Sequence, residues 1–200
     1  MISDIIAITN TGENLYTALD LSRRVAAYSD LSPKNALHLR LLAEELVSLM
    51  HAITGEVSGR FWIEKEDEDY RLHLQVDAAL TKEKREELLS TSSTGKNEAH
   101  HSFMGRLRDF FFGPVDADIA AYDKSVLATG VLPDGSRPST DWDWMMTRYQ
   151  GALSAMREEK PEAAEAWDEL EKSIVGNLAD DVKVSIKGSK TEMIIEKKLA

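Results

Sequence analysis

The stretch from Leu37 to Asp77 restricts the fold of this chain more than any other part. Just before it, Ser32 and Pro33 form a helix start, because a serine hydroxyl can cap the first amides and proline fits the first helical position. Apolar residues then recur at steps of three and four until Gly55, a predicted C-terminal stop. These residues are Leu39, Leu42, Leu46, Leu49 and Ile53. The pattern predicts an amphipathic helix with one face on a core.

Two predicted strands follow this helix as a hairpin. From Tyr70 to Val76 the residues alternate with period two, which puts Leu72 and Leu74 on the same face. Residues 61–63 belong to the preceding strand, and the polar residues 65–69 suit the turn between the two.

The two ends of the chain supply the other predicted strands. Residues 4–9 are rich in β-branched side chains, and residues 182–186 and 192–196 form a hairpin around Gly188. Strands joined by tight turns pair antiparallel, with helices packed on the sheet. The predicted fold is an α/β two-layer sandwich, with a mixed, mostly antiparallel sheet and helices on one face.

Further apolar periodicity predicts more helices. One opens near Glu13, and shorter ones cover residues 81–89, 103–112 and 115–126. A last helix begins at Pro161 and continues to Leu178. Another stripe contains Trp142, Met145, Met146, Tyr149, Leu153 and Met156 at helical spacing. Core packing is the default role of this stripe, and an exposed partner-binding patch is the alternative.

Composition excludes several functional classes. The chain has no cysteine, which excludes disulfides, thiolate nucleophiles and cysteine-bound metals. Its net charge of −11 argues against nucleic acid, which requires a basic surface, and favours a basic protein partner. No apolar run approaches the roughly 20 residues that cross a bilayer, and the first residues lack the pattern of a signal peptide. We therefore expect a cytoplasmic protein without a membrane or nucleic-acid partner.

The order of these elements resembles the histidine-kinase-like (GHKL) ATPase fold. The end of the last helix, Leu178 to Val184, and the closing hairpin are most similar to the anti-sigma-factor serine kinases. The resemblance covers residues 1–110 and 165–199. It implies one domain over residues 1–200, with a helical insertion at residues 113–160 that has no counterpart in the family.

In that family one helix carries a Glu and, four residues later, an Asn that binds Mg²⁺ from the same face. Glu44 or Glu45 matches the Glu and would act as the catalytic base. Four residues later stand Ser48, which offers only a hydroxyl, and Leu49, which offers no ligand. The resemblance thus implies an ATP or ADP site in which the usual Mg²⁺ ligand is missing.

Two further motifs of the family are altered or weakly marked. Asp77 stands where the family has the Asp that binds adenine, but Ala79 and Thr81 replace the two glycines that follow it. The stretch from Gly95 to Gly105 occupies the position of the phosphate-binding lid. The phosphate contacts that the resemblance implies are Gly95, Lys96, Asn97 and Gly105.

Ordinary structural roles compete with these assignments. Glu44 and Glu45 also suit a solvated helix surface, and Asp77 also suits a turn. The pair His100–His101 suits a solvated loop better than a metal site. The other histidines, His38, His51 and His73, show no triad partner in the sequence.

Two functional hypotheses remain open. The first is a degenerate ATP-binding protein that regulates a sigma factor or a signalling protein, with weak or no catalysis. If active, it would transfer phosphate from ATP to serine. The second is a nucleotide-free protein–protein interaction module on the same fold, which uses its acidic face or the inserted helices. The sequence leaves open whether the chain forms a homodimer.

Overall fold

In the computed structural model, which describes residues 1–8, 13–54, 59–77, 142–187 and 190–200, six strands form one sheet. The strands are β1 (Ile6–Ile8), β2 (Gly59–Glu66), β3 (Asp69–Asp77), β4 (Trp142–Met145), β5 (Asp181–Lys187) and β6 (Lys190–Lys198). Their order is β1-β2-β3-β6-β5-β4, and every neighbouring pair runs antiparallel. The expected antiparallel character is confirmed, and these described strands include no parallel pair.

Five described helices form the second layer. They are α1 (Glu13–Tyr28), α2 (Pro33–Thr54), α3 (Met146–Met156), α4 (Pro161–Lys172) and α5 (Ile174–Leu178). Helix α1 packs on β1, β2 and α2, while α2 packs on β3, β6 and α5. Helix α3 contacts β4, β5 and α4. The architecture is therefore a two-layer α/β sandwich. None of the described helices combines the length and the apolar character needed to span a membrane.

The core lies between the helices and one face of the sheet. Two rows of buried side chains cross the four central strands in register. The first row is Phe61, Leu74, Met193 and Val184, and the second is Ile63, Leu72, Ile195 and Val182. From the helical side, Leu39, Leu42 and Leu46 of α2 are fully buried against them. Each such side chain contributes roughly 1.5–3 kcal/mol by leaving water. The predicted apolar face of α2 is therefore confirmed at Leu39, Leu42 and Leu46, and the side chains of Leu49 and Ile53 lie outside the described part of the chain.

Local signals in the sequence set the start of α2 and the turn of the first hairpin. The Ser32 hydroxyl oxygen accepts a hydrogen bond from the Asn35 amide at 3.2 Å, which confirms the predicted N-cap. Glu66 pairs with Asp69, so residues 67 and 68 form the turn. Asp67 has a φ of 53°, a left-handed conformation that aspartate tolerates better than most residues. The hairpin predicted around residues 65–69 is confirmed.

The helix predicted from Trp142 was wrong over its first turn. Residues Trp142–Met145 form β4, which pairs with β5 at the edge of the sheet, and the helix begins only at Met146. The segment Trp-Asp-Trp-Met alternates with period two, and tryptophan favours strands, so β5 offers a better place for it than a helix turn. The end of the predicted helical insertion thus joins the sheet, and residues 113–141 lie outside the described ranges.

The single helix predicted from Pro161 to Leu178 is divided at Ser173. This residue adopts an extended conformation, with φ −76° and ψ 146°, so α4 ends before it and α5 begins after it. Its hydroxyl donates to the Leu170 carbonyl and accepts from the Gly176 amide, each at 2.8 Å. A Cβ atom at Gly176 would overlap the Leu170 carbonyl oxygen, so only glycine fits this approach.

Candidate functional site

Three of the predicted site residues lie on α2 but point in different directions. Successive helical residues turn by about 100°, and the buried Leu39, Leu42 and Leu46 define the side facing the core. On that geometry, Glu44 and the exposed Ser48 lie on the side of α2 that faces away from the sheet. Glu45 lies on a flank of the helix, and both glutamates are half-buried. The two adjacent glutamates therefore occupy different surroundings.

The flank that carries Glu45 faces away from α1. Ala36 and Arg40 line a groove that α2 forms with α1. Glu45 follows Ala36 by nine residues, which places it about 180° around the helix from that position. Because α1 and α5 both pack on α2, the flank with Glu45 is the one on the side of α5.

The surroundings of Glu45 change its acidity. Burial raises the pKa of the Glu45 carboxyl above its ordinary value, and the charge of neighbouring Glu44 raises it further. Both causes disfavour the ionised form. A carboxylate in such a setting accepts a proton more readily than an exposed glutamate, which is the property of a general base.

Asp77 lies at the same end of the sheet as the C-terminal half of α2. It is the last residue of β3, and its Cα pairs in register with that of Lys190 on β6. Its neighbour Val76 pairs with Gly59, the first residue of β2. Helix α2 ends at Thr54, only five residues before Gly59, a distance of at most roughly 18 Å along the chain. The chain connection therefore brings the C-terminal end of α2 to the end of the sheet where β3 finishes, and Glu45 lies nine residues, about 13 Å, back along the helix.

The other predicted site residues lie outside the described part of the chain. They are Gly95, Lys96, Asn97 and Gly105, together with Ala79, Thr81 and the pair His100–His101. Within the described ranges, no group of three or more histidine, aspartate or glutamate side chains is arranged to hold a metal ion.

A polar cluster that the sequence did not predict lies on the face of the sheet opposite the described helices. His73 of β3 is only 7% exposed and stacks on Trp62 of β2, with ring centroids 4.7 Å apart and planes 7° from parallel. Its Nε2 lies 3.5 Å from a Glu64 carboxylate oxygen, and its Nδ1 lies 3.4 Å from a Glu192 carboxylate oxygen. His73 therefore has two acidic neighbours, neither of which the sequence analysis assigned to it.

The contact between Trp62 and His73 in this cluster could have been predicted from the sequence. Once the turn pairs Glu66 with Asp69, the hairpin register places Trp62 opposite His73. Glu192 comes from β6, more than a hundred residues away, and no local pattern reveals it. The imidazole donates to both carboxylates only when it is protonated, because a neutral ring carries a single N–H. The cluster thus joins β2, β3 and β6 through one ring.

A groove of about 750 Å³ lies between α1 and α2 on the side away from the sheet. Apolar residues line most of it, and four charged residues lie among them. The apolar residues include Tyr16, Leu19, Leu31 and Leu37, and the charged ones are Asp20, Arg23, Asp30 and Arg40. Tyr16 is 75% exposed and Leu37 is 51% exposed, so this groove is open to solvent.

Comparison of the chain with protein-family models, with curated proteins and with solved structures found no match. The candidate site therefore rests on the position of its own residues: Glu45 on the flank of α2, and Asp77 at the end of β3.

Proposed function

We propose that this chain is a histidine-kinase-like ATPase domain with a degraded nucleotide site. It acts in the cytoplasm as a regulatory binding protein with weak or no catalysis. The observation that supports this best is the meeting of two elements at one end of the sandwich. The C-terminal end of α2, nine residues beyond Glu45, is connected to the end of the sheet where β3 finishes in Asp77. A nucleotide bound there would have its adenine at Asp77 and its phosphates towards α2.

The geometry favours Glu45 over Glu44 as the carboxylate of this site. Glu45 lies on the flank of α2 towards α5, and its raised pKa suits proton acceptance. Glu44 lies on the outer side of α2, together with the exposed Ser48. The residue one turn after Glu45 is Leu49, which cannot bind Mg²⁺. Loss of this ligand supports weak or absent phosphate transfer, while leaving the adenine end of the site in place.

Isothermal titration calorimetry with ATP and with ADP tests this proposal. We expect a dissociation constant on the order of 10–1000 µM, and nearly the same value with and without Mg²⁺, because the family's usual ligand is absent. Asp77→Asn should abolish the binding heat. The matched control is Asp69→Asn, which changes the same residue type at the opposite end of the same strand.

Two results would overturn the proposal. One is the absence of binding heat for the unchanged protein at millimolar nucleotide. The other is an equal loss of binding in Asp77→Asn and Asp69→Asn, because a site at one end of β3 should ignore a change at the other end.

A nucleotide-free interaction module is the second candidate function, and the groove between α1 and α2 favours it. This groove exposes Tyr16 and Leu37 to solvent, as expected for a surface that binds protein. In either case we propose a protein partner, such as a sigma factor or a signalling regulator. Absence of nucleotide binding, together with capture of such a partner, would make this second function the better one.

A further inference from the structure

We propose that the outer face of the sheet, which lies away from the described helices, is a docking surface for an arginine-bearing segment of a partner protein. Trp62 and Glu64 of β2 receive one guanidinium group, and Glu192 of β6 attracts a second basic group. The proposal goes beyond the nucleotide site and is independent of it, since that site lies where β3 finishes in Asp77. It rests on an apolar row, an aromatic ring and two carboxylates.

An apolar row crosses the outer face, where the solvent-facing residues of an antiparallel sheet are usually polar. The strand register puts Trp62, His73 and Ile194 side by side on β2, β3 and β6. Ile5, which is 60% exposed, extends the row at the β1 edge by the same register. At about 4.8 Å per strand, the row is about 14 Å long, the length of four or five extended residues. A short segment of a partner can therefore cover it.

The indole ring of Trp62 has one face that no described ring or cation covers. Its other face stacks on His73, with centroids 4.7 Å apart, which is close to the spacing of neighbouring strands. The stack therefore runs from strand to strand, and the second face of Trp62 is turned towards β1. Strand β1 is three residues long and lies at the end of the strand order. A guanidinium group stacks well on an aromatic face in such a position.

Glu64 places a carboxylate beside this ring. One of its oxygens, Oε1, accepts a hydrogen bond from Trp62 Nε1 at 3.2 Å, which holds the carboxylate at the edge of the indole. The other, Oε2, lies 3.5 Å from the buried Nε2 of His73, which makes no hydrogen bond within the described part of the chain. The Glu64 side chain is 31% exposed, so a guanidinium stacked on Trp62 can donate to it.

Glu64 and Glu192 are acids that the chain does not neutralise itself. Within the described ranges, no lysine or arginine lies at ion-pair distance from either carboxylate, and both face His73. By contrast, Glu196 of the same face pairs with Lys183 at 2.6 Å. A basic partner gains most from carboxylates that lack such a cation. The net charge of −11 favours its approach.

The arginine nearest to these acids in the strand register, Arg60, is engaged elsewhere. Its guanidinium donates to the Gln75 side-chain oxygen at 2.6 Å. Gln75 stands between Arg60 and Glu192 in the register of β2, β3 and β6. Arg60 is thus held one strand away from Glu192, and the site keeps the negative charge that an arginine-bearing partner would neutralise.

Fluorescence anisotropy of a labelled peptide tests the proposal. The probe is a short synthetic peptide that alternates arginine with leucine, and the matched probe replaces every arginine with lysine. We expect a dissociation constant on the order of 10–100 µM for the arginine peptide. The lysine peptide should bind at least about fivefold more weakly, because lysine lacks the planar group that stacks on Trp62.

Substitutions on the outer face locate the binding. Glu64→Gln and Glu192→Gln keep the size of the side chain and should each weaken binding about three- to tenfold. Trp62→Leu should remove the advantage of the arginine peptide over the lysine peptide. Glu196→Gln is the matched control, since it removes the same charge from the same strand as Glu192, where Lys183 already pairs with it. It should change binding by less than about twofold.

Thermal denaturation of each variant shows whether it keeps its fold, and the two glutamine variants decide the matter should Trp62→Leu fail to fold. Absence of binding by the arginine peptide up to about 1 mM would overturn the proposal. Equal losses in Glu192→Gln and Glu196→Gln would also overturn it, because they would indicate attraction to the overall charge. Equal affinities for the two peptides would exclude the stacked guanidinium.

Discussion

The two groups of helices that cover this sheet are built in different ways. Helices α1 and α2, which lie over β1, β2 and β3, contain 16 and 22 residues and are regular throughout. Helices α3, α4 and α5 contain 11, 12 and 5 residues and are interrupted at Ser173. In the first group, the Ser32 cap of α2 and the apolar stripes of both helices follow from local sequence. The second group depends on contacts between elements, such as the approach of Gly176 to Leu170.

The difference shows which helices are specified by local sequence and which depend on contacts with neighbouring elements. Local periodicity is enough to specify a long helix with one apolar face, because every turn repeats the same pattern. A short helix must instead be held by its neighbours, since few of its backbone groups are paired inside it. The proposed nucleotide site lies where the two groups meet, at the contact between α2 and α5.

The largest loss of stability should come from a substitution on the buried face of α2. Leu46 of α2 is fully buried in the core. We expect Leu46→Ala to lower the free energy of unfolding by about 2–5 kcal/mol, because it removes buried methyl groups and leaves a cavity. Urea denaturation measures this change. Ser48→Ala, an exposed change two residues away on the same helix, should change stability by no more than about 0.5 kcal/mol. Equal losses in the two variants would contradict the assigned face of α2.

Two glycine-to-alanine substitutions should have opposite effects on stability, one near the break at Ser173 and the other inside the regular helix α3. Gly176→Ala places a Cβ against the Leu170 carbonyl, so we expect it to destabilise the protein by about 1–3 kcal/mol. Gly151, inside α3, has no atom within 4 Å of the position that a Cβ would take. Gly151→Ala should therefore stabilise the protein by about 0.5–1 kcal/mol, through helix propensity alone. Thermal denaturation measures both changes, and a stabilising Gly176→Ala would refute the close approach.

The smallest change in stability should come from Glu45, on the flank of α2 that faces α5. Because the pKa of Glu45 is raised in the folded protein, the folded state holds this proton to a higher pH than the unfolded chain does. Stability then falls as the pH rises from the ordinary glutamate value through the raised one. Glu45→Gln removes this cost. We expect no gain below about pH 4 and a gain of at most about 0.5 kcal/mol at pH 7, because solvent screens a half-exposed group.

Glu44→Gln is the matched control for this pH dependence. It removes only the repulsion from Glu44, the smaller cause of the shift, and leaves the burial of Glu45 unchanged. Its gain at pH 7 should therefore be smaller than that of Glu45→Gln. A larger gain for Glu44→Gln, or a gain at pH 4 as large as at pH 7, would contradict the distinction between the two glutamates.

Much of α2 and of the first hairpin could be predicted from the sequence. The Ser32 cap, the apolar face of α2 and the first hairpin followed from local signals, and the structure confirms them. The strand at Trp142–Met145 was missed because a short apolar run satisfies the helical and the strand period equally well. The break at Ser173 was missed because the apolar spacing of Leu170, Ile174 and Leu178 continues across it, although the hydrogen bonds that Ser173 makes are local.

The candidate site, too, could be predicted from the sequence only in part. The sequence drew attention to α2 and to Asp77, and the fold brings the C-terminal end of α2 and the end of β3 to one end of the sheet. It could not separate Glu44 from Glu45, because that choice requires knowing on which sides of α2 the other helices pack. It also missed the cluster around His73, whose second carboxylate comes from Glu192 at the far end of the chain.

Hydrogen exchange with and without ATP, read out by mass spectrometry, tests the proposed site most directly. We expect added ATP to slow exchange in the second half of α2, from Glu45 onwards, and at the end of β3 near Asp77. Exchange in α1, which lines the opposite groove, should stay unchanged. No change anywhere at millimolar ATP, or slowing confined to α1, would contradict a nucleotide site at the flank of α2.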